Sequence, residues 1–525
     1  MPKWGKNILE NLTTGMYQDS KVSYREYVQN ACDQIRVAIE ENIISADDAH
    51  VTIFVDERNR YISIEDNATG VKGEQFRDLL GDIANSNKVQ GKDLGFRGIG
   101  RLCGLAYCKT LVFTSSYVGE DSQSIMTMDA QKMRDILNST EKVEADAVLE
   151  TITKFSTKNE EPDSHYFKVE MIGINKENTD LLDVSKVRDY LSFVAPVPYK
   201  NTFYYRESVY KHAEEISVPI EEFRITVNGK QILKEYQRRL YEGTPESKRY
   251  YDEIFGVAFK DFYDNDGTLI AWMWYGLCRF EKAIPRKLNP MWGIRLRKGN
   301  IQIGDNEALG SLFKEARGNS YFIGEVFAIS KQLIPNSQRD YFNENEMRVY
   351  FENRLREFFY DDLSKLYRIA SEAKLSYKRL SEYNDAVEKY EEYRQKGFTD
   401  DDEERKLTDE LNRVTVRKEE GKRKLEKLYS AQTDRESMQT PTELVLSAIK
   451  KKSDSKSIAA KAKKAEKQHE KLEDDDSKKK YWTDSLSKLS KKERKFLGQI
   501  IALVVKHVTD DEIKSIKLDI EKEYK

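Results

Sequence analysis

The 525-residue chain is 39% hydrophobic, 11% aromatic and 34% charged, which marks a soluble multidomain protein able to bury several cores. A formal net charge of −3 gives no global basic field, so any contact with nucleic acid has to come from local patches. Four cysteines (Cys32, Cys103, Cys108 and Cys278) without a C-x-x-C pair, and only five histidines, favour buried reduced thiols over a zinc centre or disulfides. The first residues, MPKWGKNILEN, lack the apolar core of a signal peptide, and no apolar run reaches the length of a membrane span. A cytoplasmic location without membrane contact is expected.

Taken in order, Tyr24 to Arg36 (YREYVQNACDQIR) reads as an amphipathic helix with Tyr27, Cys32 and Ile35 available for packing. Glu26, Asn30 and Asp33 stand at i, i+4 and i+7 and so share one face; on an isolated helix such a set is an ordinary solvated stripe. Val51–Val55 and Tyr61–Ile64 read as strands, and the second runs into Asp66 and a turn around Gly70. Residues 72–92 then have loop composition, with Asp82, Asn85, Ser86, Asn87 and Lys88. From Leu94 to Cys108 (LGFRGIGRLCGLAYC), Gly95, Gly98, Gly100 and Gly104 lead into an apolar helical pattern. Glycines at a helix start let backbone N–H groups approach an anion, and the helix end adds partial positive charge. Loops of this kind also serve as plain turns.

In this order and spacing the three segments resemble the nucleotide-binding domain of the GHKL superfamily: type II topoisomerases, ninety-kilodalton heat-shock chaperones, histidine kinases, and MutL and MORC proteins. The E-x-x-x-N-x-x-D box is matched by Glu26, Asn30 and Asp33. The D-x-G-x-G box is matched by Asp66 and Gly70, with Ala68 in place of the middle glycine. GFRG at Gly95 to Gly98, preceded by Ser86, Lys88 and Leu94, is most similar to the MutL form of the third box. The resemblance implies an N-terminal GHKL α/β sandwich over residues 1–198 that binds ATP with Mg2+ and hydrolyses it. It implies Glu26 as general base, Asn30 as magnesium ligand, Asp33 in support, and Asp66 as acceptor from the adenine amino group. Gly70, Lys88, Gly95, Phe96, Gly98, Ile99 and Gly100 complete the implied ATP-binding set, with a mobile lid at about 73–94. The threonine that the family carries on a later core strand has no counterpart in register in Tyr166–Ile172.

A second α/β domain of transducer-like type is expected over residues 199–359. It opens with FRITVNGKQIL, where Asn228-Gly229 between alternating apolar residues signals a hairpin. Strands continue through Leu269–Phe280 and residues 293–304. Between the strand GEVFAI and a helix, Leu333 to Phe342 (LIPNSQRDYF) resembles the middle-domain loop of heat-shock chaperones that reaches the γ-phosphate. The resemblance implies Arg339 as a second catalytic residue, with Asn336 and Gln338 in support, and guanidinium suits charge spread over phosphoryl oxygens. Asp340, or an Asp-Arg pair capping the next helix, fits the spacing equally well. Arg295, Arg297 and Lys298 form a basic cluster on one strand, either a solvated face or a contact for phosphate or nucleic acid.

Beyond this the chain is helical and charged. Leu380, Tyr383, Val387 and Tyr390 recur at three and four, Gly397 interrupts, and Thr399–Asp402 cap a helix with Leu407, Leu411 and Val414. A helical hairpin or coiled coil is expected over 360–437, a charged linker over 438–482, and a small helical module over 483–525 that packs against a copy of itself or a partner. The whole reads as an ATP-gated homodimeric clamp that remodels protein or nucleoprotein in the manner of a chaperone. The alternatives are a MORC- or MutL-like clamp associated with DNA in repair, silencing or defence, and a nucleotide-dependent scaffold that does not hydrolyse.

Overall fold

The computed structural model describes residues 4–13, 15, 19–81, 100–430, 440–454 and 481–525. These fall into two units, one of residues up to Cys278 together with Lys282–Ser364, the other of Arg279–Glu281 together with Lys365–Lys525. Lys88, Gly95, Phe96, Gly98 and Ile99 lie outside the described residues, as does the lid beyond its first helix, Gly73–Gly81. No helix among the described residues is long and apolar enough to cross a membrane.

The first unit holds two sheets. Strands β1 (His50–Asp56), β2 (Tyr61–Asp66), β3 (Thr110–Ser116), β4 (Ser122–Asp129), β5 (Thr153–Asn159), β6 (Tyr166–Ile172), β7 (Arg224–Val227) and β8 (Lys230–Gln231) form one sheet in the order β5-β4-β3-β6-β2-β1-β7-β8. Val51, Ile53 and Val55 alternate inward along β1 while Thr52 and Phe54 face out, the period-two pattern of a half-buried strand. The long helix Val22–Glu40 lays Tyr27, Val28, Ala31, Cys32, Ile35 and Ala38 into the same core as these strand residues. All four cysteines are buried, and none is in a disulfide.

One assignment differs from the sequence reading. The Asn228-Gly229 hairpin does not open the second domain but completes the first sheet, with β7 running parallel to β1. Ile225 and Val227 are fully buried in the first core, and the Asn228 side chain bonds Val55 N at 2.8 Å and Val55 O at 2.9 Å. Alternation within a hairpin shows that it pairs, not which sheet it joins.

After a two-stranded ribbon, β9 (Arg239–Gly243) and β10 (Lys248–Glu253), the second sheet comprises β11 (Gly256–Tyr263), β12 (Leu269–Leu277), β13 (Gly293–Lys298), β14 (Ile301–Ile303) and β15 (Ile323–Ala328), ordered β11-β12-β15-β13-β14. Trp272 stacks on Phe327 with ring centroids 4.4 Å apart. Here the basic cluster is neither a solvated face nor a ligand contact. Arg297 is fully buried and pairs with the equally buried Glu325, which also takes Lys234 at 3.3 Å and the hydroxyls of Tyr199 and Tyr236. Arg295 is buried against Gln302 and Asn306, and Lys298 gives its ammonium to the carbonyls of Ile329 and Ser330. Burial alone pushes the Glu325 carboxyl up, but the Arg297 and Lys234 charges outweigh it and bring it down to about 2. Lys234, the second cation on one carboxylate, is pushed down to about 7 by burial and by Arg297.

The second unit is helical. Ser364–Lys396 and Asp401–Ser430 meet along Tyr383, Val387, Leu411 and Val414, and Gly397 turns between them at φ 85. Three shorter helices, Pro441–Ser453, Lys491–Val504 and Asp510–Tyr524, each start from a capping box. The C-terminal pair finds a partner within its own chain: Trp482 N bonds Phe398 O at 3.0 Å, and Lys517 reaches the Thr399 hydroxyl. Phe496 and Leu503 remain exposed on its outer side.

Candidate functional site

The Val22–Glu40 helix is fixed before its polar face is presented. Tyr24 OH donates to Leu181 O at 2.7 Å. Tyr27 OH donates to Arg101 O and accepts from Gly104 N at 2.9 Å. Burial pushes the Tyr27 phenol well up, so it keeps the proton that this double role needs. The helix is thereby held against the 3-10 helix Gly100–Ala106, the described end of the glycine-rich segment. Glu26 and Asp33 are buried and Asn30 is half-buried. Arg36 ties Asp33 at 3.4 Å and grips Glu221 through two bonds of 2.6 and 2.7 Å.

Asp66 ends β2 and is buried, and its carboxylate accepts from Ala68 N at 3.1 Å. Ala68, in the place of the family glycine, is fully buried and keeps a negative φ, so no glycine is required there. Gly70 is required: it holds φ 70, and a Cβ on it would lie 1.8 Å from the Ser116 carbonyl oxygen. The turn is also tied by Val71 N to Ser115 Oγ at 2.8 Å and by His165 Nδ1 to Ala68 O at 2.7 Å. No threonine faces this turn from β6; His165, just ahead of that strand, does.

The loop Leu333–Phe342 comes from the second sheet and closes on the helix. It is a small hairpin, with a bridge between Pro335 and Phe342 and Asn336 N bonding Tyr341 O at 2.9 Å. Gly304 N bonds Arg339 O at 2.8 Å, and a Cβ on Gly304 would meet Asp340 O at 2.5 Å. Arg339 takes φ 55, a conformation non-glycine residues seldom adopt, and from it Nε reaches Glu26 Oε1 at 2.7 Å. Arg25 adds a second tie, Nη2 to Gln338 O at 3.1 Å. Asp340 does not cap the following helix, Glu346–Phe358; Asn345 does, and Asp340 accepts from Asn336 instead.

The structure therefore brings Glu26, Gly100 and Arg339 together, with Asn30 and Asp33 on the turns of helix that follow and Asp66 at a neighbouring strand end. Asn336 shapes the loop, and Gln338 contributes its carbonyl while its side chain is exposed. Arg25, Gln29 and His165 were not singled out by sequence. Gln29 could have been, since it sits at i+3 from Glu26 on the same face. Among the described residues no group of three or more His, Cys, Asp or Glu could hold a metal by itself.

Residues 37–161 match the model of the histidine kinase-, DNA gyrase B-, and HSP90-like ATPase family. The chain is 25% identical over 226 residues to the chaperone protein HtpG of Buchnera aphidicola subsp. Baizongia pistaciae, covering 39% of this chain and 33% of that protein. It is 27% identical over 140 residues to HtpG of Rickettsia akari, covering 23% and 22%, and 33% identical over 85 residues to HtpG of Nitrobacter hamburgensis, covering 15% and 13%. The chain thus matches a third or less of the length of these relatives. The N-terminal sheet domain is of the GHKL kind, and the weaker likeness is to heat-shock chaperones of the HtpG type.

Proposed function

We propose that the first unit binds ATP with Mg2+ and hydrolyses it, and that the protein uses the cycle as a homodimeric clamp with chaperone-like action on a client. The observation that carries this reading is the Glu26–Arg339 ion pair, in which a carboxylate from the GHKL-type helix meets an arginine from the second sheet. Glu26 orients the attacking water and takes its proton, while Arg339 supplies positive charge where the phosphoryl oxygens gather it. Asn30, half-buried beside the buried Glu26, would hold Mg2+ through its neutral side-chain oxygen, which suits a hard cation, and the ion would supply positive charge against the phosphates. Asp66, held by Ala68 N, accepts from the adenine amino group, and Asp33 holds the helix in register through Arg36. The buried Arg25 Nε and Asn336 Oδ1, both without a hydrogen-bond partner, suit a site that a polar ligand completes. The likeness to HtpG favours a protein client over DNA, with a cytoplasmic location. Residues 1–198 supply most of the nucleotide domain and 199–359 the middle domain, followed by a helical arm, a linker at 438–482 and the C-terminal module.

The test compares wild type with Glu26→Gln, which keeps the shape of the side chain. Phosphate release is expected from wild type and its loss from the variant, while calorimetry shows ATP bound by both. Solution scattering with a non-hydrolysable analogue is expected to show compaction of a dimer. Equal turnover in the two proteins would remove Glu26 as base, and a wild type that binds no ATP would end the reading.

A further inference from the structure

The Val22–Glu40 helix buries another polar side chain on its ligand-facing row. Gln29 stands three residues after Glu26 and four before Asp33, a spacing that puts all three on one face. It is 1% exposed, and neither Oε1 nor Nε2 of its amide has a hydrogen-bond partner. Such a group is costly to keep dry and unmet, and its neighbours indicate what meets it. One turn before it, Arg25 bonds Gln338 O with Nη2 and leaves Nε unpartnered, and Glu26 pairs with Arg339. Two turns after it, Arg36 grips Glu221. Gln29 therefore lies between two contacts that join the helix to later parts of the chain, one turn from the point where Glu26 and Arg339 converge.

An amide is neutral and offers both a donor and an acceptor. It suits a site where a terminal phosphoryl oxygen needs a donor and the adjacent water needs an acceptor, with no added charge to compete with Glu26 or Arg339. We infer that Gln29 recognises the terminal phosphoryl group: its N–H donates to that group, so a nucleoside triphosphate satisfies the amide and a diphosphate leaves it unmet. This rests on the nucleotide reading of the site and adds to it a residue that tells ATP from ADP.

The test is Gln29→Met, close in shape and without the amide, studied in the full chain by thermal melting, calorimetry with ADP and with a non-hydrolysable ATP analogue, and phosphate release. The melting temperature is expected to stay level or rise, because removing unmet buried polar atoms relieves a cost. ADP affinity stays at its wild-type value, the analogue binds about tenfold more weakly, and turnover falls by about the same factor or more, as for loss of a hydrogen bond to a charged group. A variant that keeps the wild-type preference for triphosphate and its turnover overturns the inference, as does one that loses both nucleotides equally. If Gln29→Met fails to fold, Gln29→Ala carries the same comparison, and failure of both to fold assigns Gln29 to packing and overturns the inference. A wild type that binds neither nucleotide is a separate outcome, and it overturns the nucleotide reading itself.

Discussion

Two glycines shape the site by what they leave out. At Gly70 a methyl group would collide with backbone, 1.8 Å from Ser116 O, and the positive φ adds to the strain. Gly70→Ala should lower stability by roughly 2–4 kcal/mol, read as a shift of the urea midpoint at unchanged slope. At Gly100 the methyl group would meet a side chain, Glu26 Oε2 at 2.3 Å, and a carboxylate can swing away. Gly100→Ala should therefore melt near wild type while phosphate release falls, and wild-type turnover would show that this contact does not place the carboxylate. Arg339→Ala makes the complementary cut. ATP affinity should hold while turnover falls by about 10³-fold, since the charge it stabilises develops in the transition state; equal turnover would remove Arg339 from the chemistry. The shared face of Glu26, Asn30 and Asp33 was legible because helical periodicity is local. Gln29 lies on that face too, and its spacing was equally legible; what the sequence does not carry is its burial.

Buried charge is the deciding feature among the elements. Arg297 and Lys234 reach Glu325 across 28 and 91 residues of sequence, so a strand reading GIRLRK looks solvated although its arginines point into the core. No local pattern carries that information. The consequence is a pH dependence with two arms. The Lys234 ammonium, held down to about 7 against about 10.4 in an unfolded chain, opposes folding fully below pH 7, and the penalty lifts as pH rises from 7 toward 10. Glu325, held down to about 2, contributes stability present above its unfolded value and lost as pH falls from about 4.5 toward 2. Wild-type melting temperature should thus climb between pH 7 and 9, and Lys234→Met should flatten that climb. An unchanged slope in the variant would assign the dependence to other groups. The aromatic run of β12 and the heptads around Tyr383 and Leu411 were readable beforehand, because apolar periodicity and burial coincide there.

For the molecule as a whole, the hairpin of β7 and β8 matters more than its length suggests. The N-terminal half reads as a finished domain by about Pro198, yet its β1 edge is closed by a strand that begins at Arg224. A chain cut after residue 198 should expose that edge and lose Ile225 and Val227 from the core, giving a species that aggregates on size-exclusion chromatography, whereas a cut beyond residue 235 should run as a monodisperse species. The same join sets a timetable during synthesis. The ribosome must add roughly 175 residues between the end of β1 and the end of β8, which takes about 9–35 s at ordinary elongation rates. For that interval the nascent chain carries an open strand edge, so the half of the protein made first depends on a later segment, or on a helper that shields the edge, to reach its own native state.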